Sequence, residues 1–112
     1  MTIYDPFDVV VVPFPFTDKA KQKPRPALVI SRRNFNASHG NVILLMITTA
    51  AQTQWPSDVP ISSLKSAGLP SAWVVRFKMF TLDESIITKK IGVLSNQDRV
   101  SASASLKQIL IH

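Results

Sequence analysis

Short apolar runs, each ended by proline or a polar cluster, organise most of the chain, and they read as strands of period two rather than as helices. "FDVVVV" (7–12), "PALVIS" (26–31) and "NVILLMITT" (41–49) predict three strands. A fourth, "AWVVRFKMF" (72–80), alternates: Trp73, Val75, Phe77 and Met79 on one face, Val74, Arg76, Lys78 and Phe80 on the other. Between the first two, "FPFTDKAKQKP" (14–24) predicts a polar loop, with Pro13 and Pro15 unable to donate to a ladder. "RRNFNASHGN" (32–41) predicts a turn-bearing connection and "AAQTQWPSD" (50–58) a second loop.

"VPIS" (59–62) suggests a short edge strand and "SLKSAG" (63–68) one helical turn ending at Gly68. "SIITKKIGVL" (85–94) adds a short strand or a pair, in which Gly92 permits a bulge or a close backbone approach. Ser95 and Asp98 have capping-box spacing, and Ala102, Leu106, Ile109 and Leu110 then recur at helical intervals. A helix is therefore expected to lie across the sheet. The expected fold is mainly β (α+β), a small barrel or strongly curled sheet closed by that helix, in a single domain over residues 1–112.

Charge adds direction to this picture. The formal net charge is +6, and Lys19, Lys21, Lys23, Arg25, Arg32 and Arg33 share one segment with no acidic residue. Such a field attracts polyanions, although a solvated basic loop has the same composition. Cysteine is absent, which excludes disulfides, thiolate nucleophiles and cysteine-ligated zinc, and fits a reducing, cytoplasmic compartment. The opening "MTIYDPFD" carries acids where a secretory leader carries lysines, and "VVVVPFPF" falls short of the roughly 20 residues that span a bilayer. No membrane association is expected.

The candidate chemistry is sparse. The seven acids, Asp5, Asp8, Asp18, Asp58, Asp83, Glu84 and Asp98, are scattered, and the adjacent Asp83 and Glu84 read as an exposed turn. His39 and His112 read as solvated bystanders rather than an acid–base pair. Arg25 stands out because Pro24 and Pro26 restrict the backbone around a planar guanidinium suited to phosphate, though two prolines also mark an ordinary strand boundary. Thr48 and Thr49 bring hydroxyls to the end of a strand, where threonine is also common for structural reasons.

Taken together, "DVVVVPFPFTDKAKQKPRPALVIS", "MITTA", "WPSDVPI", "AGLPSAWVVR" and "IGVLS", in this order, resemble the MazF/PemK/Kid family of toxin-antitoxin toxins from about Asp8 to Arg99. The resemblance implies an SH3-like β-barrel, a two-fold homodimer, and sequence-selective, metal-free cleavage of single-stranded RNA without a cofactor. It puts the catalytic pair on Arg25 and Thr48, with the loop from Thr17 to Lys23 bordering the site. Lys19, Lys21 and Lys23 would contact phosphate, and Thr17, Thr49, Arg76 and Lys78 complete the RNA-binding candidates.

It further implies a cognate antitoxin whose acidic tail covers the basic groove. The apolar C-terminal helix and adjoining strands are expected to supply part of the dimer interface. Family members often have Gly-Asp where this chain has Phe7 and Asp8, so a differently shaped turn is expected there. Gyrase-binding toxins of the CcdB type resemble the same fold but lack the paired arginine and threonine. A module that binds nucleic acid without cutting it is the third reading.

Overall fold

The computed structural model describes residues 2–15, 19–49, 54–70 and 72–111. Its strands are β1 (Asp8–Phe14), β2 (Lys23–Val29), β3 (Asn41–Thr48), β4 (Val59–Pro60), β5 (Val74–Asp83) and β6 (Lys89–Val93). Its helices are α1 (Arg33–His39), α2 (Leu64–Ala67) and α3 (Asn96–Ile109). All six strands join one antiparallel sheet in the order β4-β5-β3-β2-β1-β6, curled into a half-barrel.

Both faces of this sheet are covered, which is why the central strands read as nearly continuous apolar runs. One face packs Val9, Leu28, Leu45, Ile47 and Val75 against Leu94 and Ala102, with Leu106 of α3 beside them. The other packs Val10, Val12, Ala27, Val29, Val42 and Leu44 under Tyr4, Leu82 and Ile87. In β5 the expected alternation holds: Phe77 and Trp73 pack with the first cluster and Phe80 with the second. A bulge in the β3–β5 ladder sets Leu45 opposite Met79 but Met46 opposite Arg76, an insertion of two residues that preserves the side-chain parity.

Three boundaries differ from the expectations. Residues 32–41 are not merely a turn: α1 occupies them, ending on Gly40 at φ +64°. Buried Asn36 anchors the helix, donating to Tyr4 O at 2.9 Å and Ser31 O at 3.2 Å and accepting from the Ser31 hydroxyl. The turn-rich composition hid a helix whose stability comes from that buried polar anchor. Residues 14 and 23–24 likewise belong to strands, since β1 runs through Pro13 to Phe14 and β2 begins at Lys23. At the entry to β1, Phe7 adopts φ +72°, a left-handed conformation that costs a bulky residue about 1–2 kcal/mol. Its ring is held there by the first core cluster and by Arg99, 5.6 Å from the ring centroid.

Gly68 and Gly92 were expected to close a helical turn and to permit a bulge or a close approach, and they do so against each other's elements. Gly68 ends α2 at φ +74°, and a Cβ on it would lie 2.1 Å from Ile91 O. A Cβ on Gly92 would lie 2.4 Å from Ser66 O, so α2 and β6 touch backbone to backbone. Gly92→Ala is expected to lower stability by about 2–3 kcal/mol, read as a reduced midpoint in urea. An unchanged midpoint would show that α2 can withdraw freely.

The helix start at Ser95 is half a capping box. Ser95 Oγ accepts from Asp98 N at 3.2 Å, as expected, and the Asp98 carboxylate, which the Ser95 side chain also helps to stabilise, is not confined to the helix end. It also accepts from Ser62 N (3.0 Å), Ser62 Oγ (2.7 Å) and Ser63 N (3.1 Å), pinning the end of the β4 segment to α3. Burial opposes the charge on Asp98, yet these hydrogen bonds outweigh it and hold the carboxyl below its ordinary range. Among the described residues no helix is long and apolar enough to cross a membrane.

Candidate active site

The site is built where β2 and β3 come apart, and the prolines explain why they do. Ile30 N donates to Ile43 O at 2.9 Å, so by the two-residue period Leu28, Pro26 and Pro24 also turn their backbone toward β3. Pro26 and Pro24 have no N–H to offer there, and the β2–β3 pairing ends at Ala27 opposite Met46. Lys23, Arg25 and Ala27 face β1 instead, so that ladder continues undisturbed to Phe14 opposite Lys23. The prolines thus unzip one side of β2 while the other holds Arg25 in the sheet.

Counted on by two residues, the β2–β3 register sets Arg25 level with Thr48. Alternation puts both on the face that carries Ala27, Val29 and Leu44. Arg25 is exposed and Thr48 is half-buried. Among the described residues the Thr48 hydroxyl makes a weak 3.4 Å contact with Thr49 O, which leaves it able to donate to a ligand. Among the described residues no carboxylate lies within ion-pair distance of Arg25.

The surrounding basic residues fall on the same edge. Lys19 and Lys21 occupy a 3₁₀ turn and Lys23 opens β2; all three are exposed and, among the described residues, lack a carboxylate partner. Thr49 is exposed just past β3, while Thr17 lies outside the described residues. On β5, Arg76 and Lys78 share a face as expected, for both reach one indole: Arg76 Cζ lies 5.3 Å and Lys78 Nζ 5.7 Å from the Trp55 ring centroid.

Arg76 nevertheless differs from a solvent-facing phosphate ligand. It is only 7% exposed and forks onto Asp58, Nε to Oδ1 at 3.1 Å and Nη2 to Oδ2 at 2.8 Å. Those hydrogen bonds hold the Asp58 carboxyl below its ordinary range and raise Arg76 further. A guanidinium committed in its own plane to a buried carboxylate braces the structure and has little left for RNA. Asp58 and Trp55 were not among the residues expected here. Their signal was the spacing Trp55-x-x-Asp58, in which Asp58 Oδ2 accepts from Trp55 N at 3.0 Å.

The remaining candidates lie elsewhere. His39 stacks on Phe35 with ring centroids 4.2 Å apart, at the opposite end of β3 from Thr48, roughly 20 Å away by strand rise. Asp83 caps the turn after β5 by accepting from Ser85, also at that far end. Asp5 pairs with Arg33 and Asp8 with Lys90. Among the described residues no group of three metal-ligating side chains comes together. His112 and Asp18 lie outside the described residues.

This geometry is a curled antiparallel half-barrel with a basic edge, on which Arg25, without a carboxylate partner among the described residues, falls level with the Thr48 hydroxyl when the β2–β3 register is counted on. The chain matches the family model of the PemK-like, MazF-like toxins of type II toxin-antitoxin systems over residues 5–110, and it belongs to that family. Its fold is similar to that of MazF from Deinococcus radiodurans, at 20% identity and TM-score 0.74, covering 97% of each chain. A MazE-MazF complex from the same organism gives 21% identity and TM-score 0.76, covering 96% of each chain. The Mycobacterium tuberculosis toxin MazF-mt6 gives 20% identity and TM-score 0.72 over 90% of this chain and 93% of the other. Among curated protein sequences none matches.

Proposed function

We propose that this toxin is a sequence-selective endoribonuclease that cuts single-stranded RNA without a metal or other cofactor. What supports the reading is the β2–β3 register, which counted on past its last pair sets exposed Arg25 level with Thr48, with no carboxylate at Arg25 among the described residues. RNA supplies the nucleophile. The ribose 2′-oxygen forms a bond to the adjacent phosphorus and gives up its proton, the P–O5′ bond breaks, and O5′ takes a proton, leaving a cyclic phosphate and a 5′-hydroxyl. Arg25 stabilises the charge growing on the phosphoryl oxygens, and Thr48 donates to the same phosphate.

Lys19, Lys21, Lys23 and Lys78 hold neighbouring phosphates, with Thr49 at the rim and Thr17 in the adjoining segment. Of the described carboxylates, Asp58 and Asp98 are committed to Arg76 and to serine donors, and no three metal-ligating groups converge among the described residues, which fits a metal-free reaction. A similar structure is described as an endoribonuclease in complex with its cognate antitoxin, from a mycobacterial species, at 15% identity and TM-score 0.74. By analogy, this chain acts in the cytoplasm as a homodimer restrained by an antitoxin whose acidic tail occupies the basic edge. The exposed Val100, Ile109, Leu110 and Ile111 support α3 as part of the dimer contact.

Cleavage of a long RNA, mapped at nucleotide resolution in EDTA, tests the proposal. Cuts at one recurring short motif, with 5′-hydroxyl products and no loss in EDTA, are expected. A tight complex with intact RNA would point to a binding module, and inhibition of gyrase with RNA untouched would point to the CcdB-type activity.

A further inference from the structure

Trp55 has a role still to be assigned. It is 37% exposed, and it is unusually well fixed for a surface aromatic. Its backbone N donates to Asp58 Oδ2 and its carbonyl accepts from Asp58 N, each at 3.0 Å. Asp58 in turn is forked by Arg76, whose guanidinium lies against the ring. One buried ion pair therefore sets both the turn and the indole.

The ring also stands close to the cleavage pair. Arg76 is opposite Met46, two residues before Thr48 and on the same face. From there Arg25 lies two strands and one two-residue step away, on the order of 12 Å between Cα atoms. A short stretch of single strand bridges that span. Lys78, which reaches the same ring, is exposed and has no carboxylate partner among the described residues. Trp55 keeps 37% of its surface exposed beside these two cations, so part of the indole is open to a ligand.

We propose that Trp55 and Lys78 form a nucleotide subsite, in which the indole stacks a base flanking the cleaved linkage and the Lys78 ammonium holds that nucleotide's phosphate. The inference rests on RNA being the ligand of the Arg25–Thr48 site. Stacking requires a flat, preorganised aromatic face and tolerates any base, so this subsite adds affinity and anchors the strand while other groups select the sequence. Arg76 and Asp58 are positioning residues, since they act on RNA only through the indole.

The test uses the full chain and a short 2′-O-methyl RNA, which lacks the attacking hydroxyl and so reports binding alone. Trp55→Ala is expected to weaken binding about tenfold or more, with Trp55→Phe recovering most of the loss. The salt dependence separates the two residues: Trp55→Ala leaves the slope of log Kd against log salt unchanged, whereas Lys78→Ala lowers it by about 0.7. In a Trp73→Phe background, the RNA is expected to quench Trp55 fluorescence, while polyphosphate and polyglutamate bind without doing so.

Wild-type affinity in a folded Trp55→Ala protein would overturn the subsite, as would failure of the RNA to bind. Equal quenching by polyglutamate, with equal weakening of that ligand by Trp55→Ala, would make this a peptide-docking surface instead. Unmodified RNA keeps the two proposals separable. If it is not cut but Trp55-dependent binding persists, only the cleavage reading fails; if it is cut while Trp55→Ala binds normally, only the subsite fails.

Discussion

Arg25→Ala is expected to slow RNA cleavage by two to three orders of magnitude while leaving the fold intact. A preorganised donor facing the charge that develops in a transition state typically contributes about 3–4 kcal/mol, which sets this range. The side chain is exposed and takes no part in either core cluster, so little stability should go with it. Arg25→Lys keeps the charge but loses the fork, and it should recover only part of the rate. Single-turnover cleavage of a defined RNA, alongside thermal denaturation of each variant, makes the measurement. Cleavage by Arg25→Ala at the wild-type rate would remove the guanidinium from the reaction.

Asp98→Ala is expected to lower stability by about 3–4 kcal/mol at neutral pH, because it strips partners from the Ser62 and Ser63 N–H groups and the Ser62 hydroxyl at once. The effect should depend on pH in a definite sense. The folded carboxyl titrates below its ordinary value near 3.9, so its contribution is fully present above that value and is lost as pH falls through the folded one. Urea midpoints should therefore separate wild type and variant widely at pH 7 and less at pH 3. A separation independent of pH would assign the loss to packing and not to the charged network. The same change loosens the segment that follows β4, and through β4 the strand β5 that carries Arg76 and Lys78.

Much of the architecture was legible because it rests on local pattern. The valine run of β1, the run at Asn41–Thr48, the alternation in β5, the glycine end of α2 and the Ser95 start of α3 are each written in neighbouring residues. Helix α1 was not legible, since its anchor is Asn36 bonding to Tyr4 across a long sequence separation. A differently shaped turn was expected at Phe7, but not its left-handed geometry, which distant core contacts hold against the local cost.

The candidate site divides in the same way. Arg25 between two prolines, a hydroxyl at the end of a strand, and a lysine-rich loop are properties of the chain, so the sequence by itself determined which groups are offered to a polyanion. Only the tertiary structure decided how they are arranged. Counted on past its last pair, the β2–β3 register sets Arg25 level with Thr48, while a carboxylate 18 positions away pairs with Arg76 and makes it a brace for Trp55. The physical reason is that ion pairing and strand register depend on separations in space, which the packing of all six strands sets together and no short window of residues contains.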